Sequence, residues 1–111
     1  MPREQRAGSG GGMTKQEFAD KLRRHDAWLP GKRVKLDFGA DGIVLVDGIE
    51  GRIVDEDSPA DTSIVISWPD WIALSEGQLD PMRAYMSGRL RVQGNVGDAI
   101  ALGTLFKQLK G

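Results

Sequence analysis

The chain has 111 residues, of which 40% are hydrophobic and 28% are charged, a composition typical of one small globular domain. It contains no cysteine, which excludes disulfides, thiolate catalysis and cysteine-ligated metal sites. Its 15 Lys and Arg residues against 16 Asp and Glu residues give a net charge of −1, so no basic excess indicates binding to nucleic acid.

The N-terminal segment differs in composition from the rest of the chain. Residues 1–12 end in a Gly/Ser run, which predicts a disordered leader or cloning remnant, and residues 13–111 are predicted to form the domain. There is no signal-peptide-like apolar region, no apolar run near the roughly 20 residues of a membrane span, and no C-terminal Ser-Lys-Leu. We therefore expect a cytoplasmic protein.

The first half of the domain is predicted to contain one helix and three strands. Thr14 and Glu17 form a capping-box pattern, which predicts a helix over about residues 15–28, ended by Pro30. Alternating apolar residues over 34–38 predict a half-buried strand. Residues 43–46 are apolar throughout, as in a central strand, and a short strand over 52–54 follows two glycine turns.

The second half is predicted to be mainly helical. A strand over residues 62–68 leads into a helix capped by Ser67 and ending near Glu76, and a second short helix begins at Pro81. A last strand over 90–93 precedes a helix capped by Asn95. That helix carries an apolar stripe formed by Ala99, Leu102, Leu105, Phe106 and Leu109. Segregated strands and helices predict an α+β fold in which helices cover one sheet face.

Few side chains indicate catalysis or metal binding. His25 is the only histidine and lies in a polar run without a partnered nucleophile or second ligand. The acidic residues at 55–57 and Asp61 lack the spacing of a calcium loop and are predicted to form a solvated turn. Three arginines at 83, 89 and 91 have no accompanying aromatic stacking pattern for nucleic acid. We predict no enzyme activity, no metal, no cofactor and no nucleic-acid partner.

The apolar residues between Trp68 and Phe106 admit two interpretations. Such residues at helical spacing usually form ordinary core. However, two short helices joined by residues 77–79 suit the cover of a cavity better than a tight core. Met82 and Met86, one turn apart, favour the cavity, because methionine adapts to irregular apolar surfaces.

Three segments together resemble the sterol carrier protein family, also called the non-specific lipid-transfer proteins. They are the strand beginning Asp61-Thr62, the stretch Glu76-Gly77-Gln78-Leu79-Asp80-Pro81, and the stretch Met86-Ser87-Gly88-Arg89-Leu90-Arg91-Val92-Gln93-Gly94, followed by an amphipathic helix. The resemblance covers residues from about 34 to 109. It implies a mixed five-stranded sheet covered on one face by helices, which enclose an apolar tunnel.

The resemblance also implies a function and a set of lining residues. The expected function is non-catalytic binding and transfer of an apolar lipid, namely a fatty acid, acyl-CoA, phospholipid or sterol. The implied partner is the lipid, with transient membrane contact and the oligomeric state left open. Carried over by position, the predicted lipid-binding residues are Ile64, Ile66, Trp71, Ile72, Leu74, Met82, Met86, Leu102, Leu105 and Phe106. The alternative is a structural or dimerisation module with a closed core and a protein partner.

Overall fold

A computed structural model of the chain describes residues 13–109. The predicted leader, residues 1–12, lies outside the described residues, as do residues 110 and 111 of the predicted domain. Within residues 13–109, each helix is too short or too polar to cross a bilayer.

Helix α1 runs from Lys15 to Arg24 and begins with the predicted capping box. The Thr14 hydroxyl accepts a hydrogen bond from the Glu17 amide at 3.1 Å, and the Glu17 carboxylate accepts one from the Thr14 amide at 2.8 Å. The helix ends earlier than the predicted Trp28. Asp26 adopts a left-handed backbone conformation with φ 48°, which a right-handed helix cannot continue through.

Three strands follow α1. β1 spans Arg33–Asp37, β2 spans Ile43–Asp47 and β3 spans Arg52–Val54, with a 3₁₀ turn at Gly39–Asp41 between β1 and β2. The turn after β2 begins at Asp47, whose carboxylate accepts hydrogen bonds from the amides of Ile49 and Glu50. These strands agree with the predicted ones to within a residue or two at each end.

The remaining elements are β4 at Thr62–Ile66, α2 at Trp68–Ser75, α3 at Pro81–Met86, β5 at Leu90–Gly94 and α4 at Val96–Lys107. The strand predicted to reach Trp68 ends at Ile66, because the Ser67 side chain caps α2 and Trp68 is its first residue. Asp80 and Asn95 cap α3 and α4 in the same way.

The sheet has the strand order β3-β2-β1-β4-β5, which confirms the predicted five-stranded mixed sheet. β1 pairs antiparallel with β2 and parallel with β4, while β2–β3 and β4–β5 are antiparallel. The parallel pair requires a crossover, and residues 55–61 provide it. In this segment Asp57 lies 2.6 Å from the Lys35 ammonium, and the Asp61 carboxylate accepts a hydrogen bond from the Arg33 amide.

The hydrophobic core lies between the helices and one face of the sheet. Register places Val34, Leu36, Val44, Ile53 and Ile64 on that face, and all of them are buried. The opposite face carries the fully buried Leu45 together with charged residues, among them Asp47 between Arg33 and Arg52, and Lys35 paired with Asp57 of the crossover segment. The α+β arrangement with helices over one sheet face is therefore confirmed.

Candidate functional site

An aromatic cluster occupies the space between the sheet and the helices. It consists of Phe18 from α1, Phe38 from the end of β1, Trp68 and Trp71 from α2, and Phe106 from α4. Ring centroids lie 5.0 to 6.4 Å apart, mostly in edge-to-face contact. This geometry is the one that aromatic quadrupoles favour, so the cluster is a well-packed contact of four distant chain segments.

The structure brings most of the predicted lipid-binding residues to this cluster. Ile64 and Ile66 on β4 and Leu102 on α4 are buried in the core. Packed against that core, but only partly buried, are Trp71, Leu74, Leu105 and Phe106. Ile72 is half-buried on α2 and lies outside this packed group.

Met82 and Met86 do not join the other predicted residues. They lie on the outer side of α3, with 64% and 79% of their surface exposed. The reason is helical geometry: α3 packs through Ala84, its buried residue, and residues two positions away on either side point about 200° from it. The structure therefore corrects the inward placement of these two side chains.

Among residues 13–109 the structure does not show the predicted tunnel as an enclosed cavity, and five aromatic rings pack against one another between the sheet and the helices. Two hollows in residues 13–109 are both open to solvent. One, of about 280 Å³, runs along α1. The other, of about 500 Å³, lies between α3 and the edge strand β5, and its lining residues are Tyr85, Met86, Leu90, Arg91, Val92 and Gln93. The tunnel stays a prediction.

Three members of the aromatic cluster, Phe18, Phe38 and Trp68, are absent from the predicted site. Trp68 and Phe38 were within reach of sequence reasoning, because each extends the alternation of its strand onto the core face. Phe18 packs against the other four rings, yet only the apolar stripe of α1 indicates that it is buried. No sequence pattern shows which helix it meets.

Helix α4 is held to the sheet at its N-terminus. The buried Thr62 hydroxyl accepts a hydrogen bond from the Asn95 amide at 3.1 Å and lies 3.2 Å from the Asp98 carboxylate. Asp98 also lies 3.8 Å from the Lys32 ammonium. The C-terminal part of α4 contributes apolar contacts, with Leu105 and Phe106 against the core. The helix thus has one polar anchor and one apolar, partly exposed end.

A buried charge lies away from the cluster. Asp47 is fully buried on the opposite sheet face, with its carboxylate 3.1 Å from the Arg33 guanidinium and 3.5 Å from that of Arg52. Burial alone would raise the pKa of Asp47. Hydrogen bonds from the Glu50 and Ile49 amides, together with the Arg33 guanidinium paired with the carboxylate, outweigh burial and lower that pKa below its ordinary value. Asp47 therefore stabilises the turn after β2.

The described residues offer little for metal chemistry. Within 13–109, no three His, Asp or Glu side chains are grouped so as to hold a metal ion. His25 is exposed at the C-terminal end of α1. The acidic residues 55–57 are used in part for ion pairs, with Asp55 lying 3.6 Å from the Lys15 ammonium.

Comparison with known protein families shows which family this chain belongs to. Residues 18–107 match the sequence profile of the SCP-2 sterol transfer family. The chain belongs to this family. Among its relatives, the non-specific lipid-transfer protein-like 1 of Caenorhabditis elegans is 35% identical over 80 residues, which cover 65% of this chain and 68% of that protein. The sterol carrier protein 2 of Rattus norvegicus is 33% identical over 73 residues, covering 63% of this chain and 13% of that much longer protein.

Solved structures of the SCP-2 family share the fold. The sterol carrier protein 2 of Aedes aegypti, solved in complex with palmitate, superimposes with a TM-score of 0.71 at 16% identity, covering 89% of this chain and 99% of that one. The apo sterol carrier protein 2 of Yarrowia lipolytica gives a TM-score of 0.53 at 21% identity, covering 87% and 82%. The resemblance drawn from the sequence motifs is confirmed.

Proposed function

We propose that the protein is a non-catalytic carrier that binds one long-chain lipid between α2, α4 and the sheet and transfers it between membranes. The observation that carries this proposal is the incomplete burial of the apolar side chains on these two helices. Trp71, Leu74, Leu105 and Phe106 touch the core yet remain partly exposed. An alkyl chain lying along them would complete their burial, which is favourable in proportion to the apolar area covered.

The family and its neighbours support a fatty acyl ligand. One neighbour of the same fold was solved with palmitate, a C16 fatty acid. Burying a C16 chain contributes about 11 kcal/mol at about 0.8 kcal/mol per methylene. Association entropy and displacement of the packed aromatic rings offset several kcal/mol of this, so we expect affinities near micromolar. Such affinities suit reversible transfer. The cytoplasmic location expected from the sequence stays a prediction.

Titration with a fluorescent long-chain fatty acid, followed by competition with unlabelled palmitate, tests the proposal. We expect saturable one-to-one binding with a dissociation constant below about 100 micromolar. Absence of any saturable signal at that concentration would overturn the carrier.

A matched pair of variants on α4 locates the site. Leu105→Gln places a polar amide among partly buried apolar side chains, whereas Ile100→Gln changes a side chain that is 65% exposed on the same helix. We expect Leu105→Gln to weaken fatty acid binding by about 5- to 150-fold, since an unsatisfied buried amide costs roughly 1–3 kcal/mol. Ile100→Gln should change the affinity less than about twofold. Equal affinities of the two variants would remove α4 from the site.

The second candidate function is a dimerisation module, and a specific observation favours it. The rings of the aromatic cluster pack edge to face between sheet and helices, as they would in a closed core. Native mass spectrometry of the purified protein separates the two candidates. A mass with co-purified lipid supports the carrier, and a dimer without lipid supports the module.

A further inference from the structure

We propose that the protein forms a two-fold symmetric dimer, in which the edge strand β5 pairs antiparallel with β5 of a second copy. The five-stranded sheet of each protomer thereby becomes half of one continuous sheet. This inference is independent of the proposed function, because it concerns the sheet edge rather than the apolar side chains of α2 and α4.

The two edges of the sheet differ in how their backbone is protected. β3, at one edge, has three residues and packs beside α1, where the Arg23 guanidinium donates a hydrogen bond to the Ile53 carbonyl at 2.8 Å. β5, at the other edge, has five residues, pairs with β4 residue for residue, and contains neither proline nor lysine. No strand among residues 13–109 lies beyond it. An unprotected edge of this kind offers backbone amides and carbonyls to a further strand, so its occupant is an extended chain.

The sequence of β5 favours a second β5 as the added strand. In an antiparallel pair centred on Val92, that residue lies opposite Val92 of the partner subunit, and Arg91 lies opposite Gln93 of the partner subunit. Each Arg91 guanidinium then meets a side-chain amide oxygen to which it can donate, and the two-fold axis makes this pair twice. The register therefore sets no like charges directly opposite one another.

The charges around β5 allow two copies to approach. The segment from α3 to the end of β5 contains three arginines. The Asp80 carboxylate accepts a hydrogen bond from the Arg83 amide, and the Asp70 carboxylate lies 3.7 Å from the Arg89 guanidinium. Carboxylates thus accompany two of the three arginines, and the third, Arg91, is the one that the register places opposite an amide. Repulsion between two copies is correspondingly small.

An apolar groove beside β5 supplies the hydrophobic part of the contact. It has a volume of about 500 Å³, and Tyr85 and Met86 of α3 line it together with Val92. Tyr85 is 49% exposed and Met86 is 79% exposed. Val92 lies on the helix side of the sheet, because its partner on β4 is the core residue Ile64. The two-fold axis brings the same side chains of the second copy to this groove, so each protomer covers the apolar surface of the other.

Sedimentation velocity of the full chain over a concentration series tests the proposal. One edge strand and the side chains beside it offer less than the roughly 800 Å² per partner of a standard interface. We therefore expect a dimer with a dissociation constant of about 1–100 micromolar. A protein that stays monomeric up to about 500 micromolar overturns the proposal, whether β5 then pairs with another protein or with nothing.

Opposite charge changes at Gln93 test the register. Gln93→Glu places a carboxylate opposite each Arg91 and should tighten the dimer about 2- to 30-fold. Gln93→Arg places a second guanidinium there and should weaken the dimer by a similar factor. Gln93 is exposed, so both variants should unfold at the wild-type midpoint. Net charge acts in the other direction, because Gln93→Arg adds one positive charge to a net charge of −1 and brings it to zero.

The controls are the same two changes at Gln16, which is exposed on α1. They should alter the dissociation constant of the dimer less than about twofold. Equal effects at the two positions, or no effect at Gln93, overturn the proposed pairing.

Cross-linking at Val92 gives a second test of the same register. Because the chain has no cysteine, Val92→Cys introduces a single thiol. The two-fold axis sets it opposite its own copy, at a Cα separation of about 4.5–5.5 Å that a disulfide can span. Mild oxidation should convert Val92→Cys to a covalent dimer and leave Ile100→Cys, at a 65% exposed position on α4, largely monomeric. Equal yields from the two variants overturn the proposal.

Fatty acid titration of Gln93→Arg separates this inference from the carrier. Its affinity should lie within about twofold of the wild type, since the substitution lies at the sheet edge. Dimerisation through β5 without fatty acid binding would support the dimer and contradict the carrier. Fatty acid binding by a protein that is monomeric at every concentration would support the carrier and overturn the dimer.

Discussion

The two parts of the described chain bury their apolar side chains to very different extents. Residues 13–66, comprising α1 and β1–β4, contain almost the whole buried core, with exposures of 0–8%. Residues 67–109, comprising α2, α3, β5 and α4, contain only Ala84 and Leu102 as buried residues. The first part carries the stability of the fold. The second keeps large apolar surfaces available, so it is the part that can open toward a ligand or a membrane.

Matched truncations should give the largest contrast between the two parts. Leu36→Ala removes a fully buried side chain on β1 and should lower the free energy of unfolding by about 2–5 kcal/mol. Leu105→Ala removes a half-buried side chain on α4 and should lower it by only about 1 kcal/mol, in proportion to the area buried. Urea denaturation measures both. Similar losses would mean that α4 is as integral to the core as β1.

The buried carboxylate of Asp47 provides a second test of the contrast between the two parts, through the pH dependence of stability. Because the pKa of Asp47 is lower in the folded protein than its ordinary value, the carboxylate stabilises the fold above about pH 4. This stabilisation is lost as the pH falls through the lowered folded pKa. Asp47→Asn should therefore be destabilised at pH 7, by less than Leu36→Ala, and the difference from wild type should shrink in acid.

The control for this pH dependence is Leu105→Ala, whose deficit relative to wild type should not change between pH 7 and pH 3, since leucine does not titrate. Fatty acid affinity of Asp47→Asn at pH 7 should equal that of the wild type, because Asp47 lies on the sheet face away from the aromatic cluster. A constant Asp47→Asn deficit across the pH range would assign the loss to packing.

The fold was largely predictable from sequence because its signals are local. Capping residues Thr14, Ser67, Asp80 and Asn95 mark the helix starts, and the structure confirms each of them. The end of α1 was not predicted, because it depends on the left-handed conformation of Asp26, which Asp tolerates but only occasionally adopts. The resemblance implied a mixed sheet, but the parallel pairing of β1 with β4 was not predicted, since periodicity does not specify strand neighbours.

The candidate site was less predictable than the fold, because it depends on which faces of the helices and the sheet pack together. The residues on β4 and α4 lie in or against the core, as their periodic patterns indicate, while their role as a lipid lining stays a prediction. Met82 and Met86 lie on the outer side of α3, since a helix of six residues has no clear apolar stripe and Ala84, a small residue, determines the packed side. The two methionines indicated an apolar surface on α3 but not which side of the helix carries it.

Ligand binding should rigidify the second part of the chain, residues 67–109, more than the first part, residues 13–66. We expect saturating fatty acid to slow amide hydrogen exchange about tenfold, or about 1.4 kcal/mol, over residues 99–109. Exchange over β4, residues 62–66, should change little, because that strand is paired on both sides. Equal slowing in both segments would indicate global stabilisation and contradict opening at α4.

The smallest expected effect concerns Gly103, inside α4. A Cβ atom added there meets no other heavy atom within 4 Å, so Gly103→Ala introduces no clash. It should stabilise the helix by about 1 kcal/mol, the difference in helix propensity between the two residues. If the C-terminal part of α4 unwinds to release lipid, while Thr62 anchors its N-terminus, this substitution should slow release up to about fivefold. Stopped-flow dissociation of a fluorescent fatty acid measures the rate, and Gln16→Ala on the exposed side of α1 provides the control that should leave it unchanged. A stabilised Gly103→Ala protein with wild-type release would show that lipid leaves by a route that does not involve α4, and the edge between α3 and β5 would then be the exit to test.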